Sequence, residues 1–205
     1  TSTTGVGLET SYVFTNYDKN LLNDNNAFSV GGFVETQLTN YLKVRVAGGY
    51  QMINFDSSVV LFGPLPPDGR FIAFNDNRDL NDYYINALFS HRVNSALTHR
   101  LSVGHESQLG VNSNYITLNY VRHTANWNII NRTLLSTELF YEDADDSGGF
   151  VDEHQQRYGG ALSLGYQLTR HVTLGARYQY TKKNSNVPLR DYSQNRVSID
   201  GTYSF

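Results

Sequence analysis

Acidic side chains and histidines gather in several short stretches, and each suggests a chemistry. Asp152-Glu153-His154 would put an aspartate and a histidine on one side of an extended segment, and Asp76, Asp79 and Asp82 lie in another polar stretch. Together they offer an acid and an Asp-His pair of the kind that activates water. Gly104-His105-Glu106-Ser107 holds the residue types of a serine hydrolase. Adjacent residues of a strand point to opposite faces, so this run does not form a triad by itself. Asp143, Asp145 and Asp146 supply hard oxygens that suit calcium or loose cation bridging, but the glycine and glutamate of an EF-hand loop are not in place. His91 and His99 could approach one another across a turn, yet two ligands are too few for a metal centre. Solvated loop tips account for the acidic runs more simply, so no catalytic residue, metal site or cofactor is expected.

The elements that would position these groups are strands. Alternation of apolar and polar residues, the period of a strand with two different faces, recurs along the whole chain. Val6, Leu8, Thr10, Tyr12 and Phe14 oppose Gly5, Gly7, Glu9 and Ser11, and Leu42, Val44, Val46, Gly48 and Tyr50 oppose Lys43, Arg45 and Gln51. Continuing to Val197, Ile199, Tyr203 and Phe205, and including a less clear segment from Tyr115 to His123, the pattern gives about ten strands. Fifteen tyrosines and seventeen glycines against one methionine and four prolines suit such strands. Nothing marks a linker, so residues 1–205 read as one domain.

Connections of two lengths take turns. Tight turns are expected near Thr39 to Tyr41, Asn94 to Arg100, Thr124 to Asn126 and Thr169 to His171, with longer loops over Asn16 to Asn26, Asp56 to Asp79, Ser107 to Ser113, Asp143 to His154 and Lys182 to Asp191. Gln37-Leu38-Thr39-Asn40-Tyr41-Leu42 and Gln167-Leu168-Thr169-Arg170-His171-Val172 repeat one turn pattern, and Leu97-Thr98-His99-Arg100-Leu101 fits as a third copy. Two registers stay open. The turn between Phe89 and Leu101 centres either on Asn94-Ser95 or on Thr98 to Arg100, and either parity suits Tyr115 to His123.

This layout predicts an all-β fold: a closed antiparallel transmembrane β-barrel of about ten strands, with short periplasmic turns and longer extracellular loops, in a bacterial outer membrane. A mean hydropathy of -0.43 does not oppose it, since only alternate residues of such strands face lipid. The absence of cysteine excludes a disulfide framework and thiol metal sites. The chain opens at Thr1 without a basic-then-apolar leader, which leaves a removed signal peptide and a fragment as the two readings.

Aromatic residues at strand ends form two expected girdles at headgroup level, Tyr12, Phe28, Tyr50, Tyr141, Tyr158 and Tyr178 outside, and Tyr41, Trp127, Tyr166, Tyr203 and Phe205 inside. The opposite strand faces carry Lys43, Arg45, Arg92, Arg132, Arg157, Arg177 and Arg196 against Glu9, Glu35, Glu106, Glu138 and Asp200, a lumen lining of slight positive excess. A charge facing lipid at mid-depth costs about 2 to 4 kcal/mol, so these side chains are expected to point inward. Most of the nineteen acidic residues fall in the presumed outer loops and rims. Ten strands lined by arginines would be largely filled, leaving at most a narrow polar path. Basic residues that alternate with acids inside a wall make no nucleic-acid surface. The expected partners are outer-membrane lipid and lipopolysaccharide.

Tyr158-Gly159-Gly160, Gly165-Tyr166-Gln167-Leu168-Thr169, Tyr178-Gln179-Tyr180 and the run Asn195 to Phe205, with Asn112-Ser113-Asn114-Tyr115 and Leu139-Phe140-Tyr141-Glu142-Asp143, resemble the putative β-barrel porin type 2 family over about half the chain. The resemblance implies outer-membrane insertion, with Phe205 read by the barrel-assembly machinery, and for some members a part in exopolysaccharide export. Members are often larger barrels, a size that differs from the count of ten. The two acidic loops are similar to the acid plus Asp-His arrangement of omptin proteases. The functions to weigh are therefore a narrow porin-like channel or export component, a non-conducting interaction barrel acting through the Asp56 to Asp79 loop with Pro64, Pro66 and Pro67, and a rim protease.

Overall fold

A computed structural model describes residues 3–18, 23–56, 60–65, 70–74, 78–110, 113–148 and 152–204. Phe205, Asp76, Asn112, Pro66 and Pro67 lie outside the described residues. Twelve strands run in chain order: β1 (Thr4–Thr15), β2 (Asn25–Gln37), β3 (Leu42–Phe55), β4 (Val60–Leu65), β5 (Arg70–Phe74), β6 (Leu80–Arg92), β7 (Leu97–Leu109), β8 (Tyr115–Ile130), β9 (Thr133–Asp146), β10 (His154–Gln167), β11 (Val172–Ser185) and β12 (Tyr192–Tyr203). Ten of them form one antiparallel sheet in the order β1-β2-β3-β6-β7-β8-β9-β10-β11-β12. The other two, β4 and β5, pair with each other inside the segment between Asp56 and Asp79 that was expected to be loop.

Every neighbour in the large sheet is the next strand in chain order once that hairpin is set aside, as an up-and-down meander requires. Among the described residues β1 and β12 do not pair with each other, so the expected closed ring is not present in the pairing and each of these strands keeps a free edge.

Register sorts the two faces. One row of paired residues runs Val6, Val34, Val46, Ala87, Val103, Val121, Tyr141, Tyr158 across eight strands. The adjacent row on the opposite face runs Gly7, Phe33, Ala47, Asn86, Gly104, Tyr120, Glu142, Arg157, Lys183. The first face is apolar and exposed, with Leu8, Val30, Ile85, Leu139, Leu162 and Ile199 all open. A soluble sandwich would bury that face. The buried apolar residues Ile53, Leu80, Leu118, Tyr120 and Ala144 lie instead on the polar, inward face toward the loop end.

The tight turns follow one device with two chemistries. Thr39 Oγ1 accepts from the backbone N–H groups of Tyr41 (3.2 Å) and Leu42 (3.0 Å), and Thr169 Oγ1 accepts from His171 (3.2 Å) and Val172 (3.0 Å). The third such turn lies at Val93 to Leu97, where Asn94 Oδ1 accepts from Ala96 and Leu97, both at 2.8 Å. Of the two centres left open the structure takes Asn94-Ser95, and Leu97 to Leu101, read as the third copy of the repeat, is strand. An Asx side chain performs the threonine's task there, which a search for threonine misses.

The turn expected at Thr124 to Asn126 is also strand. β8 continues to Ile130 and the chain reverses at Asn131-Arg132, with Arg132 at φ 70°. A register shift between Asn128 and Ile130 adds one residue to β8 just before the turn. That bulge restores the parity a two-residue turn would otherwise reverse, so odd-numbered residues face outward on both sides and the alternation shows no break. Arg132 thus belongs to a turn and not to the lining of the wall, contrary to the sequence expectation.

Candidate functional site

The inward face holds a series of ion pairs that link adjacent strands or strands one apart. Glu9 of β1 meets Arg45 of β3, Glu35 of β2 meets Lys43 of β3 at 2.7 Å, and Glu138 of β9 meets Arg177 of β11 at 2.8 Å. These are residues that alternation placed on the polar face. Arg92 stands over the Tyr41 ring at 5.8 Å, and Glu106 lies close enough to the Tyr120 hydroxyl for its charge to act there. Asp200 lies against Gly175, where its carboxylate fills the space of the missing side chain. Arg196 is exposed near the free edge and, among the described residues, joins no ion pair.

The strongest cluster includes two residues that the sequence reading left off this face. Glu142 of β9 is 7% exposed and takes both neighbouring arginines. Arg122 of β8 donates to Oε1 through Nε (3.3 Å) and Nη2 (2.9 Å), and Arg157 of β10 donates to Oε2 through Nε (2.7 Å) and Nη2. Such charge-assisted forks are shorter and stronger than neutral hydrogen bonds. Arg122 also stands over the Tyr120 ring at 4.4 Å. Tyr120 in turn packs on Gly104, and Asn86 donates to its hydroxyl. Glu142 is not among the lining residues expected from sequence, although it falls four residues after Glu138, a spacing that keeps it on the same face. Arg122 sits in the segment of undecided parity, which only pairing resolves.

A second cluster lies beyond the Tyr141 and Tyr158 girdle, outside the membrane-spanning band. Glu153, 4% exposed, pairs with Lys183 and Arg190, both at 2.6 Å, and accepts from Ser185 at 2.6 Å. Burial alone would raise its carboxyl, but these three donors more than offset it and hold it at about 2. Asp146 is pushed up to about 6 by burial and by the charge of Glu153.

The residues whose types suggested catalysis are arranged otherwise. His154 Nδ1 meets Asp145 at 2.8 Å and Asp143 at 3.8 Å, whereas Asp152 pairs with Arg78 at 3.7 Å. The hydrogen bond that His154 donates to Asp145 raises the His154 pKa, with burial opposing and the charges of Asp145 and Asp143 adding to the rise. Asp143, Asp145 and His154 place one ligand atom each within 4.8 Å, a possible cation position on the outward face just above the girdle. His105 and Ser107 both bond the same Asp82 oxygen, at 3.1 and 3.2 Å. A triad needs the serine on the histidine, and here both compete for the carboxylate. His91, His99 and His123 form a row on the apolar face, with ring centres 6.3 and 5.5 Å apart.

The girdle aromatics occupy that same apolar face. Tyr12 pairs with Phe28, Tyr141 with Tyr158 and Tyr50 with Tyr83 toward the loop end. Tyr178 pairs with Leu162 and Val197. Trp127 pairs with Leu97, Tyr166 with Leu174 and Tyr203 with Val172 toward the turn end, with Tyr41 in the turn beside Leu42.

Comparison with solved structures gives the fold a context. The chain is similar to OmpT, an outer membrane protein of Vibrio cholerae expressed in the outer membrane (TM-score 0.60, 14% identity, 97% of this chain and 60% of that one). It is similar also to a loop L8 deletion mutant of the same protein (TM-score 0.56, 14% identity, 98% and 62%). The ferric-catecholate import receptor Fiu of E. coli K12 in its open form matches as well (TM-score 0.55, 13% identity, 98% and 35%). The chain thus spans less than two thirds of the length of these proteins. No curated protein matches it. Residues 97–204 match the family model described as Putative beta-barrel porin 2. With just over half of its length inside that match, an apolar face open to lipid and its charges on the other face, the chain belongs to that family of β-barrel proteins of the bacterial outer membrane.

Proposed function

We propose that the ten strands are a wall segment of a closed outer-membrane barrel that works as a porin-like channel. The observation that carries this reading is the sorting of charge: the Glu9–Arg45, Glu35–Lys43, Glu138–Arg177 and Arg122–Glu142–Arg157 groups all lie on one face, behind an exposed apolar face. Free strand edges are not stable in lipid, where each unpaired backbone group costs several kcal/mol, so β1 and β12 need partners in the membrane. Nearly the whole chain superposes on about three fifths of the Vibrio cholerae protein, which supports an arc of a wider barrel over a ring of ten closed on itself. The additional strands would pair with the free edges of β1 and β12. A wider ring would also leave room for a water path that ten strands would fill.

The reading assigns no catalysis. Lipid and lipopolysaccharide would contact the apolar face and girdles, and the barrel-assembly machinery would act on insertion. A second reading, an interaction barrel acting through its loops, draws on the β4–β5 hairpin, which forms its own small sheet in the Asp56 to Asp79 segment.

Planar-bilayer recording of the full-length protein tests the channel, together with electrophoresis of heated and unheated samples for closure. Stepwise conductance from a heat-modifiable protein is expected. A heat-modifiable protein without conductance refutes the channel, and loss of partner binding on removal of residues 60–74 would then favour the loop reading.

A further inference from the structure

We propose that Arg122 and Arg157 form an oxyanion-binding site at the outer mouth of the lumen, with Glu142 as the residue that positions them. Glu142 and Arg157 immediately adjoin the girdle tyrosines Tyr141 and Tyr158 in sequence, so on the opposite face they lie level with the outer headgroups. The proposal rests on the reading of the polar face as the lumen of a barrel.

A guanidinium carries five N–H groups in a fixed fork. Arg122 and Arg157 each direct Nε and Nη2 at one oxygen of Glu142, which then holds four donors and has no further need of them. Nη1 of each arginine has no partner among the described residues. Two guanidiniums on one carboxylate leave one net positive charge. The arginine side chains are 40% and 45% exposed while the carboxylate between them is buried, so what the lumen meets is the cationic part.

Both forks are also fixed before any ligand arrives. Tyr120 supports the Arg122 guanidinium from below, and its own place is set by Gly104 and by the hydrogen bond from Asn86. Glu106 is the nearby acid on β7; its charge acts at the Tyr120 hydroxyl, and among the described residues it forms no ion pair with either arginine. Lys183, the register partner of Arg157, is tied to Glu153. A solute bearing a carboxylate or a phosphate matches the two free Nη1 groups, since these oxyanions accept parallel N–H donors. The strand-to-strand pairs Glu9–Arg45, Glu35–Lys43 and Glu138–Arg177 match one cation with one carboxylate and leave no such excess.

Isothermal titration of the purified, folded, full-length protein with sodium phosphate, sodium glucuronate and glucose is the test. Saturable binding of one or both oxyanions and none of glucose is expected. Arg157→Gln and Arg122→Gln should each weaken it at least tenfold, and Arg170→Gln, in a turn at the far end, should leave it unchanged. The unheated gel shift verifies that each variant is folded. If a glutamine variant does not fold, Arg157→Lys keeps the charge, loses the fork and should still weaken binding several-fold. Binding of phosphate alone supports the site for phosphate-bearing solutes, and binding of glucuronate alone supports it for carboxylates. No oxyanion binding by wild type, or equal binding by folded variants, overturns the site. Oxyanion binding without bilayer conductance supports the site while refuting the channel, so the two failures are distinguishable.

Discussion

Tyr120 occupies the space that a side chain at position 104 would need: a Cβ added to Gly104 would stand 2.7 Å from the tyrosine hydroxyl oxygen and 2.8 Å from its Cζ. The same relationship recurs between Gly7 and Phe33, where the added carbon would be 2.5 Å from the ring, and Phe33 in turn carries Arg45 at 4.2 Å. On the inward face, then, a glycine on one strand seats a ring from the next, and the ring seats a guanidinium. Gly104→Ala should cost about 1 to 3 kcal/mol, because the backbone oxygen of Ile85 is also 2.7 Å from the new carbon and cannot swing away as a side chain would. Urea unfolding of the inserted protein checks it, with Gly5→Ala as the harmless counterpart, since nothing lies within 4 Å of a Cβ there.

Removing the charge of Glu142 should destabilise the wall more than removing either arginine. Glu142→Gln leaves two facing guanidiniums with no anion between them, whereas each arginine variant leaves a one-to-one pair. Loss of a fully buried partner costs roughly 3 to 5 kcal/mol. The arginines here keep contact with water, so a loss of about 1 to 3 kcal/mol is expected. Thermal unfolding of the three variants would rank them, and an arginine variant weaker than Glu142→Gln contradicts the bridging role.

The outer cluster sets opposing pH dependences. Glu153 is held at about 2, below its ordinary 4.5, so its contribution to the loop contacts is complete above 4.5 and is lost as pH falls toward 2. Asp146 is raised from 3.8 to about 6, so the folded cluster favours its protonated form, and stability declines as pH rises between those two values. Limited proteolysis of the segment from Asn186 to Asp191 should therefore be slowest near pH 4 to 5. Asp146→Asn should remove the slope between about 4 and 6 and leave the acid limb intact. A slope that persists in the variant means that another group titrates.

The turn residues give a local test. Thr169→Val removes a side-chain acceptor shared by two backbone N–H groups, and Asn94→Ala does the same in the third turn. Each should cost about 0.5 to 1.5 kcal/mol, while Asn94→Thr, which moves the acceptor used at Thr39 into this turn, should retain most of the stability. Equilibrium unfolding in urea distinguishes the three.

Much of this protein was legible in order of residues alone because a strand repeats every two residues. The faces of β1, β2, β3, β10, β11 and β12, the apolar-face placement of the aromatics from Tyr12 to Tyr203, the polar placement of Glu35, Arg45, Glu138 and Arg177, and the Thr39 and Thr169 turns are all local consequences of that period. The reversal at Asn131-Arg132 was not legible, since the bulge after Asn128 preserves the period that a turn would have interrupted.

What only the tertiary structure decided is which side chains meet. Sequence placed Glu138 and Arg177 on polar faces, but that they touch across the intervening β10, and that Glu142 draws in Arg122 and Arg157 from either side, depends on the offset of each strand against its neighbour. The same holds for Tyr120 on Gly104, for the Asp82 carboxylate shared by His105 and Ser107, and for the edges of β1 and β12 that, among the described residues, stay unpaired. Period tells a side chain which face to take. Its partner on that face is fixed by hydrogen bonds between segments far apart in the chain, which no local pattern records.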